Sequence, residues 1–157
     1  LKDTLTGLGN RRFFDDSFAK AVQLAKRNNE RCALILLDLD NFKQVNDLSG
    51  HSAGDDILLA VADCLRDTLR VTDSLFRFGG DEFAVILSGQ DTESAELVAR
   101  RLVRAINQHY LCQQHEVSAS AGLALLKADQ DGKQLFANAD SALYAAKEAG
   151  KSTVRVA

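Results

Sequence analysis

Apolar side chains in the N-terminal part of the chain recur at helical spacing. Phe14, Phe18, Ala21, Val22 and Ala25 share one stripe, charged and polar residues fill the gaps, and the pattern ends at Asn28 and Asn29. CALILLDL, residues 32–39, is a continuous apolar run, too short for a typical helix and bounded by polar residues, which predicts a buried central strand. Helical spacing returns from Ser52 to Leu69, with Leu58, Val61, Leu65 and Leu69 on one face. LFRF and EFAVILS then read as two short strands joined through Gly-Gly-Asp. A helix from Thr92 to Gln108 turns Leu97, Val98, Leu102, Ala105 and Ile106 inward, and HEVSASAGLALL, residues 115–126, alternates like a strand. Lys133 to Ala149 predicts a last helix before a short STVRV strand. The order, βαββαβ with extra elements at each end, is that of a ferredoxin-like split unit, an α+β fold with a mainly antiparallel central sheet flanked by helices. In that topology the first strand lies antiparallel beside the third, so Asp38 at the end of the first meets Asp81 and Glu82 at the start of the third.

A chain of 157 residues with 46% hydrophobic content fills one core, and a single domain is expected over residues 1–157. A formal charge of −3 and a pI near 5.6 exclude roles that coat a polyanion, so neither nucleic acid nor a membrane surface is an expected partner of this segment. No apolar run approaches a membrane span and no signal-peptide pattern opens the chain, so it reads as a soluble, cytoplasmic segment. Cys32, Cys64 and Cys112 are odd in number and far apart, suggesting neither a disulfide framework nor a zinc cluster. With no methionine, the chain reads as a piece of a longer protein, which leaves a sensory region or a membrane anchor to the remainder.

The stretch RFGGDEFAVIL places two glycines and two acids inside a strand-like run. A two-residue hairpin alone accounts for Gly79 and Gly80. Convergence with Asp38 adds a second reading: clustered carboxylates repel unless a cation sits between them, and hard oxygen ligands with vacant positions suit magnesium completed by substrate phosphates. The glycines would let a phosphorylated ligand approach the backbone. After the first strand come Asn41, Phe42, Lys43 and Asn46, then His51 and Asp55. Lys43 offers phosphate a point charge, while Asn46 and Asp55 offer a carboxamide and a carboxylate suited to the edge of guanine. Taken singly, Asn46 also fits a turn and Asp55 a helix start. His109 and His115 read as exposed linker histidines, and no histidine lies in a motif that would orient it beside a nucleophile.

DTLTGLGNRR (3–12), DLDNFKQVND (38–47), GHSAGDDIL (50–58), RFGGDEF (77–83) and ALYAAKEAGK (142–151) together resemble the GGDEF domain of bacterial diguanylate cyclases, nearly along the whole chain. The resemblance implies a palm-like fold related to nucleotidyl cyclases and polymerases. It implies metal coordination by Asp38, Asp81 and the Leu39 carbonyl, with two magnesium ions (manganese as a substitute), and Glu82 completing the catalytic acids. It implies guanine recognition by Asn46 and Asp55, and phosphate contacts from Lys43, Lys147 and the amides around Asn41 and Phe42. Two GTP molecules would join into cyclic di-GMP with release of two pyrophosphates, across a homodimer in which each copy holds one GTP.

Arg70-Val71-Thr72-Asp73 resembles the family's RxxD inhibitory product site, with Arg101 placed to join from the following helix. Arg70 also suits a helix C-terminus and Asp73 a loop cap. Lys151 and Ser152 stand where the family often has arginine and asparagine, which replaces a bidentate fork by a point charge. The strand VSASAGLA carries smaller residues than the usual branched pattern. The competing readings are a catalytically silent receptor for GTP or cyclic di-GMP, which has no need of metal-binding acids, and a cyclase with mixed purine products, which Asp55 disfavours because adenine lacks guanine's donor pair.

Overall fold

The computed structural model describes residues 1–157. In chain order the elements are α1 (Arg11–Asn28), β1 (Cys32–Asp40), α2 (Phe42–Ser49), α3 (His51–Thr68), β2 (Ser74–Gly79), β3 (Glu82–Ser88), α4 (Thr92–Gln108), α5 (Tyr110–Gln114), β4 (Ser118–Leu125), α6 (Gly132–Glu148) and β5 (Val154–Val156). The sheet order is β2-β3-β1-β4-β5; β1 is antiparallel to β3 and β4, and β5 adds a parallel edge strand to β4. The expected α+β core is therefore present, with two helices the periodicity did not reveal. The eight residues of α2 follow β1 after one left-handed residue, Asn41, and α5 is a five-residue helix after α4. Both are shorter than the window over which a helical period becomes legible.

Alternation along β1 divides the core. Ile35, Leu37 and Leu39 face the larger cluster, covered by α3 and α4; Leu34 and Leu36 face a smaller one under α1 and α6, where Phe14, Phe18 and Phe76 pack. Asp38 and Asp40 continue the second face to the end of the strand. On α4 the buried positions are Ala95, Ala99, Leu102, Val103 and Ile106, whereas Leu97 is 53% exposed, contrary to the inward face expected for it. Leu102 and Ile106 are buried and Val98 and Ala105 half-buried, in line with the expected face; Ala95 and Ala99, too small to stand out in the pattern, complete the stripe in place of Leu97. His109 and His115 are half-buried rather than exposed, because α5 folds between them and His109 Nδ1 accepts from the Leu111 amide.

The small residues of β4 have a packing cause. A methyl group at Gly122 would collide with the Leu143 amide and the Ala139 carbonyl of α6, so the helix backbone rests directly on the strand. This contact brings the C-terminal half of α6, including Lys147, over the ends of β1 and β4. Cys32 and Cys112 are buried and all three cysteines are unpaired. No helix is long and apolar enough to cross a membrane.

Candidate active site

Asp38 lies where three strands meet, opposite Glu82 of β3 and Ser120 of β4. The turn between β2 and β3 brings Asp81 beside it, and the Leu39 amide donates to the Asp81 carbonyl at 3.2 Å, stitching the turn to β1. Burial and then the Asp38 charge push the Asp81 carboxyl up to about 6. Asp38 Oδ2 pairs with Lys147 Nζ at 3.2 Å, but its Oδ1 is buried with no hydrogen-bond partner. A buried anionic oxygen without a donor is costly, and a hard divalent cation would satisfy it. The Leu39 side chain is core, so only its backbone is available to an ion.

Of the three acids expected to converge, the structure brings two together. Glu82 sits across from Asp38 in register, but its side chain is exposed and lines a cleft of 170 Å³ with Arg11, Phe78, Phe136 and Asp140. No three of the Asp, Glu, His and Cys side chains form a group able to hold a metal by themselves. The longer glutamate relieves repulsion by reaching solvent. A bound ion would thus be completed by backbone, water or ligand oxygens.

The glycine hairpin stands open. Gly79 and Gly80 have φ of 127° and 54°, and a Cβ at either would meet nothing within 4 Å. Arg77 fixes its shape: Nε and Nη2 donate to the Gly80 carbonyl at 3.1 and 2.8 Å, and Nη1 pairs with Asp3 at 2.7 Å. Partial burial works against ionisation of Asp3, yet hydrogen bonds from Thr6 and the Arg77 charge bring its pKa below the ordinary value. The N-terminal turn, Asp3 to Gly9, is in this way tied to the hairpin.

Asn41 adopts φ 67° and donates its carboxamide to the Glu116 carbonyl at 3.2 Å, so no side chain caps α2 and its leading amides are left to another acceptor. Lys43 is exposed in the first turn of α2, and His51 is exposed at the start of α3. A side chain at Gly54 would strike the Asn46 carboxamide, which places half-buried Asn46 one residue from exposed Asp55. Lys147 bonds both Asp38 and Asp40; burial alone would lower its pKa, but the two carboxylates outweigh that and raise it. Lys151 is exposed with φ 68°, in the turn after α6.

Arg70 and Asp73 close a small loop: the Arg70 amide donates to Asp73 Oδ2 at 2.9 Å, and the guanidinium lies 3.5 Å from Oδ1. The Asp73 side chain is 2% exposed and that of Arg70 is 59% exposed, so the aspartate serves the loop while the arginine stays available. Both line a cleft of 470 Å³ with Arg101, as the sequence suggested, and with Arg31, which no motif marked. Asp40 also escaped sequence reasoning, although its spacing of two from Asp38 on a strand put it on the same face.

The sequence matches the family model "Diguanylate cyclase, GGDEF domain" over residues 1–153. It is 44% identical over 154 residues to diguanylate cyclase DgcS of Shewanella oneidensis, covering 98% of this chain and 52% of that protein. It is 43% identical to the bifunctional diguanylate cyclase/cyclic di-GMP phosphodiesterase MucR of Pseudomonas aeruginosa, covering 97% of this chain and 23% of that one. The chain thus spans about half, or less, of these relatives. The fold superposes with a TM-score of 0.92, at 30% identity, on the GGDEF domain of DgcB from Caulobacter crescentus in complex with c-di-GMP, covering 99% of this chain and 94% of that one. Motifs, strand register and these likenesses agree, and the chain belongs to the GGDEF domain family of diguanylate cyclases.

Proposed function

We propose that this domain condenses two GTP molecules into cyclic di-GMP with release of two pyrophosphates, each of two facing copies holding one GTP and two magnesium ions, which manganese can replace. The observation that carries the proposal is the Asp38 and Asp81 pair: a buried carboxylate oxygen without a donor beside a carboxyl pushed up to about 6, next to an open glycine hairpin. Asp38, Asp81 and the Leu39 carbonyl would hold the metal, with Glu82 in support. An ion held there would supply Lewis acidity, favouring ionisation of a 3′-hydroxyl and offsetting charge on the departing pyrophosphate.

This chain's own groups do the rest. Asn46 and Asp55 take the guanine edge, and His51 helps to shape the pocket around it. The uncapped amides of α2 near Asn41 and Phe42, with Lys43 and Lys151, take the triphosphate. Lys147, shared between Asp38 and Asp40, keeps a positive charge at the site that a phosphate oxygen can accept in exchange for Asp38. Gly79 and Gly80 leave room for the nucleotide. Each bound GTP supplies the 3′-hydroxyl for one new phosphodiester bond and the α-phosphate for the other, losing its own pyrophosphate, so turnover requires two copies. Arg70 and Arg101 bind the product as an inhibitor in the 470 Å³ cleft, with Asp73 holding the loop that presents Arg70.

Asp81→Ala tests the reading. Turnover of GTP should vanish while the circular-dichroism spectrum is unchanged, and retained turnover would remove the metal assignment. Asp55→Ala should lower the preference for GTP over ATP; an unchanged preference would move base recognition elsewhere.

A further inference from the structure

The Asp40 side chain is fully buried, 0% exposed, and both its oxygens are in use. Oδ1 accepts from Lys147 Nζ at 3.3 Å and Ser120 Oγ at 2.8 Å. Oδ2 accepts from Ser118 Oγ at 2.7 Å and the Ser152 amide at 3.1 Å, with Ser120 Oγ at 3.0 Å sharing its single proton between the two oxygens. The contrast with Asp38, two residues earlier on the same face, is chemical. Asp38 keeps a buried oxygen free for a ligand, whereas Asp40 has none to give.

A buried charge is a poor way to stabilise a core, since apolar residues of similar volume do so at least as well. What this carboxylate does instead is hold two pieces of chain outside the sheet. One is Lys147 on α6. The other is the turn after α6, where Lys151 and Ser152 both have positive φ, 68° and 55°, a conformation unfavourable for side-chain-bearing residues that persists only when surroundings impose it. The Ser152 amide is the point of attachment, and Ser152 Oγ is itself held by Asn107 Nδ2 at 2.9 Å, whose Oδ1 accepts from the Ala119 amide at 2.9 Å. Ser120 closes the circuit by also accepting from the Ser152 amide at 3.1 Å.

We infer that Asp40 is a positioning residue that, through the Ser118, Ser120 and Ser152 cradle, holds Lys147 and the Lys151 turn against the triphosphate side of the site. The inference rests on the proposed binding of GTP here. It also gives the serine at position 152 a job: its amide, not its side chain, is what Asp40 needs.

The test is binding of 3′-deoxy-GTP, which lacks the attacking hydroxyl, compared with binding of GMP, which lacks the outer phosphates. Asp40→Asn should raise the Kd for 3′-deoxy-GTP about tenfold and leave that for GMP within about twofold. Ser120→Ala, which keeps the charge and removes the bridging hydroxyl, should move 3′-deoxy-GTP alone by about threefold and decides the matter if Asp40→Asn does not fold. Equal weakening of both nucleotides would reduce Asp40 to a structural role, and unchanged affinities in both variants would remove it from the site; either overturns the inference. Wild-type protein that binds 3′-deoxy-GTP no tighter than GMP would overturn the triphosphate reading itself, and this inference with it.

Discussion

Asp81→Asn in metal-free protein should make the domain more stable, not less, and only above a definite pH. Burial and the Asp38 charge lift the Asp81 carboxyl from 3.8 to about 6 in the folded state. Between those values the folded protein binds more protons than the unfolded one, so stability falls as pH rises through the window and the penalty is complete above it. At about 1.4 kcal/mol per pH unit the displacement corresponds to roughly 3 kcal/mol. Asp81 is partly exposed, and screening by solvent reduces this to roughly 1–2 kcal/mol. For a domain of this size that is a rise in Tm of about 3–6 °C. Thermal melts with a chelator should show the rise at about pH 7.5 and almost none at about pH 4. Adding magnesium should then raise the Tm of the wild type and leave the variant unmoved. A variant less stable than wild type at the higher pH, or equally stabilised at both, would refute the account of the carboxylate pair.

Gly122→Val should lower stability by about 2–4 kcal/mol in urea unfolding, because the side chain would collide with the α6 backbone, and an unchanged midpoint would mean the helix lifts freely. Asp3→Asn should cost about 1–3 kcal/mol by releasing Arg77 and Thr6. Because the folded pKa of Asp3 is depressed, that difference is present above its unfolded value and fades as pH falls through the folded one; a difference independent of pH would remove the ion pair as its source. Arg70→Ala should relieve inhibition of turnover by added cyclic di-GMP, and an unchanged inhibition curve would reduce the loop to a structural feature.

The sheet was readable because its central strand is a continuous apolar run and its neighbours are short and turn-bounded. The adjacency of Asp38 to the Gly-Gly-Asp turn followed from topology alone, and the β1 to β3 register bears it out. Less was visible where a residue's role depends on reach rather than position. Glu82 falls in the expected register but turns its carboxylate away, and the role of Asp40 depends on three serines from β4 and the α6 turn that close over it from distant parts of the chain. The helix α2 hid behind a left-handed Asn41, and the small residues of β4 signalled close packing of α6, which periodicity does not encode. Arg31 reaches the Arg70 cleft from the loop before β1, a contact between segments that no local pattern carries.

The most direct test of the central claim is to incubate the purified domain with GTP and magnesium at several protein concentrations and resolve the nucleotides by chromatography and mass spectrometry. Cyclic di-GMP should appear at a rate per molecule that rises with protein concentration, as a reaction shared between two half-sites requires. Absence of product even when two copies are joined by a fused dimeriser would contradict it, and leave a domain that binds nucleotides without converting them.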